Sequence, residues 1–163
     1  VGWSDGGNIG LIVAMRRPDL VKRLVVIGAN FKYDAGLDIG LTDESPVMQM
    51  IAENYMKQSP DGPDHFEEFV TKSLVMWDAE PNMTVQDLSK ISIPVLVMVG
   101  DDDGINLSHT CEMYESIPGA QLSVIPGASH AVPMEKPAEV ARLVDEFFSC
   151  QLPVETMMPI RRR

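Results

Sequence analysis

Basic residues and cysteines are scarce in this chain, and each scarcity excludes something. Thirteen Lys and Arg stand against 24 Asp and Glu, a formal charge of -11, which argues against a nucleic-acid surface. Cys111 and Cys150 are two unclustered thiols with no metal-ligand spacing around them, which argues against a disulfide scaffold and a zinc site and for reduced, structural cysteines. No apolar run has the length of a membrane span, and no basic-then-apolar leader is present, so we expect a cytoplasmic protein without a span. The closing Arg161-Arg162-Arg163 adds about 1 kcal/mol per cation near an anionic membrane, too little to anchor a chain, and reads as a solvated tail.

What is present is a 45% apolar chain of 163 residues, enough for one core. Its first seven residues, Val1-Gly2-Trp3-Ser4-Asp5-Gly6-Gly7, hold a Gly-x-Ser-x-Gly pentapeptide directly before an apolar segment. In a nucleophile elbow a strand turns sharply into a helix and strains the serine, so Gly2 and Gly6 are expected to be small of necessity. Such a pentapeptide arises by chance in about 5% of chains this long, so its context must decide. Val1 opens the sequence inside a motif that needs a preceding strand. We therefore expect a longer protein with an upstream part, and an open edge on the next strand of the present chain.

The context is an alternation of strands and helices. Gly6 to Arg17 is apolar on nearly every face, as for a buried helix, and ends at Pro18. Leu24 to Gly28, Val95 to Val99 and, more weakly, Gln121 to Ile125 are short runs expected as strands of a parallel sheet. A helix is predicted from Ser108 to Ser116, and another opens at Pro137 with Val140, Leu143, Val144, Phe147 and Phe148 on one stripe. The fold class is thus α/β, with a right-handed parallel sheet flanked by helices. Residues 31–92 break the rhythm. Pro46 opens a segment with Met48, Ile51, Ala52, Tyr55 and Met56 at helical spacing, Pro63 another with Phe66, Phe69, Val70, Leu74 and Trp77, and Thr84 with Asp87 forms a capping-box signature. We expect residues 31–92 to be a helical lid inserted into a core of residues 1–30 and 93–150, with 151–163 as a tail. Met48, Met50, Met56, Met76 and Met83 in or beside those helices suit an adaptable apolar pocket.

A reactive serine needs a base and a carboxylate behind the base. Gly100-Asp101-Asp102-Asp103-Gly104 follows the second long strand and Pro126-Gly127-Ala128-Ser129-His130-Ala131 the third, so both groups share the carboxyl rim of the sheet with Ser4. His65 and His109 lie on predicted helices. The residues alone leave three aspartates open.

Gly2-Trp3-Ser4-Asp5-Gly6-Gly7, Gly28-Ala29-Asn30, Gly100-Asp101-Asp102-Asp103 and Gly127-Ala128-Ser129-His130 together resemble the α/β-hydrolase fold from the elbow onward, so the chain reads as a partial α/β-hydrolase fold. The wording Trp-Ser-Asp-Gly-Gly with Gly-Ala-Asn is similar to the valacyclovir-hydrolase, or biphenyl-hydrolase-like, subgroup. The resemblance implies Ser4 as nucleophile, His130 as general base and acid, Asp103 as orienting carboxylate and the Asp5 amide as one oxyanion donor. Asp101 and Asp102 are then expected as solvated loop charges. Gly104 stands where a proline often follows the acid, and Asp34 is the alternative because some members carry the acid after the earlier strand. Trp3 and Asp5 are the substrate-binding candidates, the Asp5 carboxylate for a substrate ammonium group or, otherwise, facing solvent or the helix start.

The implied chemistry is acyl transfer on a small-molecule substrate, without cofactor or metal. The second oxyanion donor of this fold comes from a loop upstream of the elbow, and losing one donor costs about 100- to 1000-fold, so we expect this chain alone to be weakly active or inactive. A non-catalytic ligand receptor, a cofactor-free perhydrolase and a carbon–carbon bond hydrolase are the other readings of the same residues. A serine at the elbow speaks against dehalogenase or epoxide hydrolase chemistry, whose nucleophile is an aspartate.

Overall fold

Three largely apolar runs and the Gly2–Trp3 pair of the elbow set the centre of the molecule. In the computed structural model, which describes residues 1–35, 45–152 and 154–158, they form one four-stranded parallel sheet of order β1-β2-β3-β4. The strands are β1 (Gly2–Trp3), β2 (Leu24–Ile27), β3 (Val95–Gly100) and β4 (Gln121–Ile125). Every residue of β2 and β3 is buried, because parallel strands joined by crossover helices are covered on both faces. Alternation then splits each strand between two cores. Leu24, Val26, Val95 and Val97 face one side with Leu11, Ala14, Met113 and Ile117, whereas Val25, Ile27, Leu96 and Met98 face the other with Val132, Val140 and Phe147.

Helix α1 (Asp5–Arg16) lies against the first of these faces, α2 (Pro46–Gln58), α3 (Phe66–Trp77) and the short α4 (Val85–Leu88) come between β2 and β3, and α5 (Leu107–Ser116) joins β3 to β4. After β4 follow a single turn, α6 (Val132–Glu135), and α7 (Pro137–Ser149) on the second face. Local chemistry explains several starts. Ser45 caps α2, its hydroxyl accepting from the Met48 amide with Pro46 at the first position. Thr84 and Asp87 form the reciprocal capping box of α4, and Lys90 and Thr84 hold the Asp87 carboxyl well below the usual carboxylate range. Arg23 sits beyond the far end of α7 and donates to the carbonyls of Phe147 and Cys150, satisfying acceptors that a helix end leaves open.

Three expectations change. The edge of β2 is covered in part, because Gly2 pairs with Val26 and Trp3 with Ile27 in parallel register. Helix α1 buries only Gly7, Asn8, Leu11 and Ala14, a stripe at three- and four-residue spacing, and leaves Ile9 60% exposed, since a helix lying on one sheet face is covered along one side. On α7, Val140 and Phe147 are buried while Phe148 is exposed.

The stretch between β2 and β3 is of two kinds. Phe31, Met83, Leu88 and Ile91 belong to the core on the α1 side of the sheet. The pair α2 and α3 buries no residue and is held by Tyr55 stacked on Phe69 at 5.1 Å and tilted against Phe66 at 5.4 Å. Residues 36–44 of the expected lid and the Arg161-Arg162-Arg163 tail lie outside the described residues. Among the described residues, no helix is long and apolar enough to cross a membrane. Both Cys111 and Cys150 are free thiols.

Candidate active site

Because all four strands run parallel, the residues that follow them meet at one rim: Ser4 after β1, Gly28 after β2, Asp103 after β3 and His130 after β4. Ser4 is the non-glycine residue with positive φ among those described, at φ 53° and ψ -125°. Such backbone costs on the order of 1–3 kcal/mol and persists only where its surroundings dictate it. Here the Ser4 amide donates to the Ile27 carbonyl at 2.9 Å, and the Ser4 carbonyl accepts from Gly7 at 2.8 Å and Asn8 at 3.2 Å. The hydroxyl is thereby thrust out of the strand-to-helix turn.

The glycines work differently from the expectation. A Cβ on Gly2 would lie 2.2 Å from the Gly6 carbonyl oxygen, and one on Gly7 2.7 Å from the Ala29 Cβ, so these two positions demand glycine. A Cβ on Gly6 would meet nothing within 4 Å, so the small size required is that of Gly2, against which the Gly6 backbone packs.

The imidazole of His130 bridges the other two groups. Its Nε2 lies 3.0 Å from Ser4 Oγ and its Nδ1 2.9 Å from Asp103 Oδ1. The Asp103 side chain is 1% exposed and that of His130 14%, so the pair is shielded while the ring edge stays accessible. Asp103 Oδ1 also accepts from the Ile105 amide at 3.0 Å, and its Oδ2 is buried without a protein donor. With Nδ1–H given to the carboxylate, Nε2 is left free to accept the serine proton. The carboxylate behind the histidine is therefore Asp103. The alternative, Asp34, lies exposed in the turn after β2.

Asp101 is not a plain solvated charge: its Oδ1 accepts from the Gly127 amide at 2.7 Å and the Ala128 amide at 3.3 Å, clamping the loop that carries His130. A strand-end carboxylate meets those amides because β3 and β4 pair up to Gly100 and Ile125. Asp102 is exposed, as expected. Glu135 grips the same loop from the other side, accepting from the Ser129 amide at 2.7 Å and the Ser129 hydroxyl at 2.9 Å. Sequence reading missed Glu135 and the role of Asp101; an acid five residues beyond the histidine was the available signal for the first.

Trp3 and Asp5 also have protein partners. The Trp3 indole donates to the His130 carbonyl at 2.8 Å, tying the elbow to the histidine loop. Asp5 Oδ2 accepts from the Trp77 indole at 2.9 Å and Oδ1 from Asn8 Nδ2 at 3.3 Å. Asn8 in turn is buried and paired with Asn30, giving Nδ2 to Asn30 Oδ1 at 2.9 Å and accepting the Asn30 amide at 3.0 Å. The Asp5 amide stands in the first turn of α1, where a helix offers no carbonyl to its amides. His109, outside this centre, stacks on Phe31 at 4.1 Å and accepts the Phe31 amide at Nε2, and burial holds its pKa below the usual histidine value. Among the described residues no cluster of His, Cys, Asp and Glu is arranged to hold a metal ion.

Comparison with known proteins agrees with this architecture. The chain is 27% identical over 160 residues to serine hydrolase BPHL of Mus musculus, covering 90% of this chain and 53% of that protein. It is 27% identical over 172 residues to 2-hydroxymuconate semialdehyde hydrolase of Pseudomonas putida, covering 91% of this chain and 61% of that one. The chain thus spans about half to three-fifths of the curated relatives it matches. Among solved structures, a serine hydrolase involved in carbazole degradation superposes with a TM-score of 0.69 at 21% identity, covering 92% of this chain and 62% of the other. The meta-cleavage product hydrolase CumD of Pseudomonas fluorescens gives 0.63 at 23% identity, with 90% and 62% covered. Residues 1–143 match the sequence model of the alpha/beta hydrolase family, so elbow, sheet and histidine loop all fall inside the match, and the chain belongs to that family.

Proposed function

We propose that the protein is a serine hydrolase that cleaves an ester, thioester or amide of a small, largely apolar substrate through an acyl-enzyme on Ser4. The observation that carries this reading is the imidazole of His130 held between Ser4 Oγ and Asp103 Oδ1 at 3.0 and 2.9 Å. His130 Nε2 takes the Ser4 proton as Oγ attacks the acyl carbon, and Asp103 stabilises the imidazolium that results. The carbonyl oxygen becomes an oxyanion within reach of the Asp5 amide, a donor already oriented at the helix start. The imidazolium then protonates the leaving group, and water, deprotonated by His130, releases the acid from Ser4. The pair α2 and α3 is read as a lid over this rim, supported by its place between β2 and β3 and by the reach of Trp77 to Asp5.

Carbon–carbon bond hydrolysis is the second reading, favoured by the similarity to 2-hydroxymuconate semialdehyde hydrolase and, at 28% identity over 174 residues, to 2-hydroxy-6-oxo-2,4-heptadienoate hydrolase of Pseudomonas putida. A fluorophosphonate probe followed by turnover of p-nitrophenyl esters and of a vinylogous diketo acid tests both readings. Labelling that Ser4→Ala abolishes and His130→Ala slows by about 10²- to 10⁴-fold supports the nucleophile and base. The preferred substrate then decides between the readings, and a chain that Ser4→Ala leaves equally labelled refutes them together.

A further inference from the structure

The elbow is tied to the segment between β2 and β3 by a side chain that acyl transfer itself does not require. Trp77 is the last residue of α3, a helix with no buried residue of its own, and its indole N–H donates to Asp5 Oδ2 across 72 positions of sequence. Asp5 immediately follows Ser4 and carries the amide assigned above to the oxyanion. Its other carboxylate oxygen is held by Asn8, which is locked to Asn30 by two further hydrogen bonds. The side chain of Asp5 is therefore gripped from the α3 side by an indole and from the sheet side by a buried amide pair. A hydrogen bond to a charged acceptor is among the stronger ones, and a half-buried site screens it little.

We propose that Trp77 is a positioning residue of the reaction, acting through the Asp5 carboxylate to fix the first turn of α1 and with it the oxyanion amide. The inference rests on the serine-hydrolase reading above. Helix α3 thereby becomes part of the catalytic frame: where it sits sets how well the amide beside Ser4 is aimed. Truncating the donor leaves the half-buried Asp5 Oδ2 without its indole partner, and the elbow's first turn loses its outer tie.

The test uses the chain with Trp77→Phe, Asp5→Ala and both together. Trp77→Phe keeps an aromatic ring and removes the donor. Fluorophosphonate labelling is resolved into the probe's binding constant and its maximal acylation rate. The acylation rate is expected to fall about tenfold in each single variant with binding little changed, well short of the 100- to 1000-fold for deleting an oxyanion donor outright. The double variant should fall no further than the singles, because the two changes remove one interaction. Trp3 and Trp77 are the two tryptophans, so the indole N–H signals of a ¹H–¹⁵N spectrum supply an independent readout: Asp5→Ala must move the Trp77 signal and lower its exchange protection. Additive effects, an acylation rate indifferent to Trp77→Phe, or an indole signal unmoved by Asp5→Ala overturns the inference while leaving the nucleophile assignment standing. Absence of Ser4 labelling in the unsubstituted chain overturns that assignment instead, and the spectrum still reports whether the indole holds Asp5. Asp5→Ala leaves the α3 ring in place, so a folded variant is available if Trp77→Phe unfolds.

Discussion

Gly28→Ala separates backbone strain from damage to the reacting groups. Gly28 follows β2 at φ +54°, and a Cβ built there would lie 3.1 Å from Asp103 Oδ2, 3.1 Å from His130 Nδ1 and 3.2 Å from His130 Cε1. The left-handed backbone alone costs an alanine about 1–2 kcal/mol, which for a domain of this size lowers Tm by roughly 2–8 °C. The contacts add a second effect. They are tighter than ordinary van der Waals separation, so the imidazole and carboxylate must shift by a few tenths of an ångström, and the 3.0 Å approach of Nε2 to Ser4 Oγ lengthens. Since a misplacement of 1 Å costs about 100-fold, a shift of a third to a half of that slows acylation by about five- to tenfold. Gly119→Ala supplies the control: φ is +69° and a Cβ there meets nothing within 4 Å, so it carries the backbone cost without touching the site. Thermal unfolding and fluorophosphonate labelling at a temperature where the unfolding curves show both variants folded give the comparison. Both variants should lose stability, and Gly28→Ala alone should label slowly; equal labelling rates in the two would refute the claim that Gly28 makes room for the histidine–aspartate pair.

Two further predictions follow from the same geometry. Gly6→Ala should fold and stabilise α1 by up to about 1 kcal/mol, the usual gain of alanine over glycine in a helix, whereas Gly2→Ala, whose Cβ would lie 2.2 Å from the Gly6 carbonyl, should fail to give soluble folded protein; thermal unfolding and soluble yield report both. Burial lowers the His109 pKa against the opposing influence of Glu112 and Asp34 and together with Lys32, so protonation favours the unfolded chain: its stabilising contribution is complete above about pH 6.5 and declines as pH falls through the depressed folded value, and a Tm series from pH 7.5 to 5 should slope less steeply in His109→Gln than in the parent.

The alternation of strands and helices, the capping box of Thr84 and Asp87, the elbow, and the placing of Ser4, the Asp101 to Asp103 run and His130 along one rim were legible in the residues, because each rests on neighbours a few positions apart or on the rule that strand ends of a parallel sheet align. Tertiary structure alone decided what each rim residue meets. Asp101 and Asp103 are two positions apart on one loop, yet one grips the Gly127 and Ala128 amides and the other His130, a difference set by the register of β3 against β4. Likewise the tight spot at the elbow falls on Gly2 and Gly7 rather than Gly6, and the donor to Asp5 comes from Trp77. A motif states which residue types are near in sequence; the direction of a Cβ and the partner of a carboxylate depend on packing between segments far apart along the chain, and those contacts exist only once the sheet has formed.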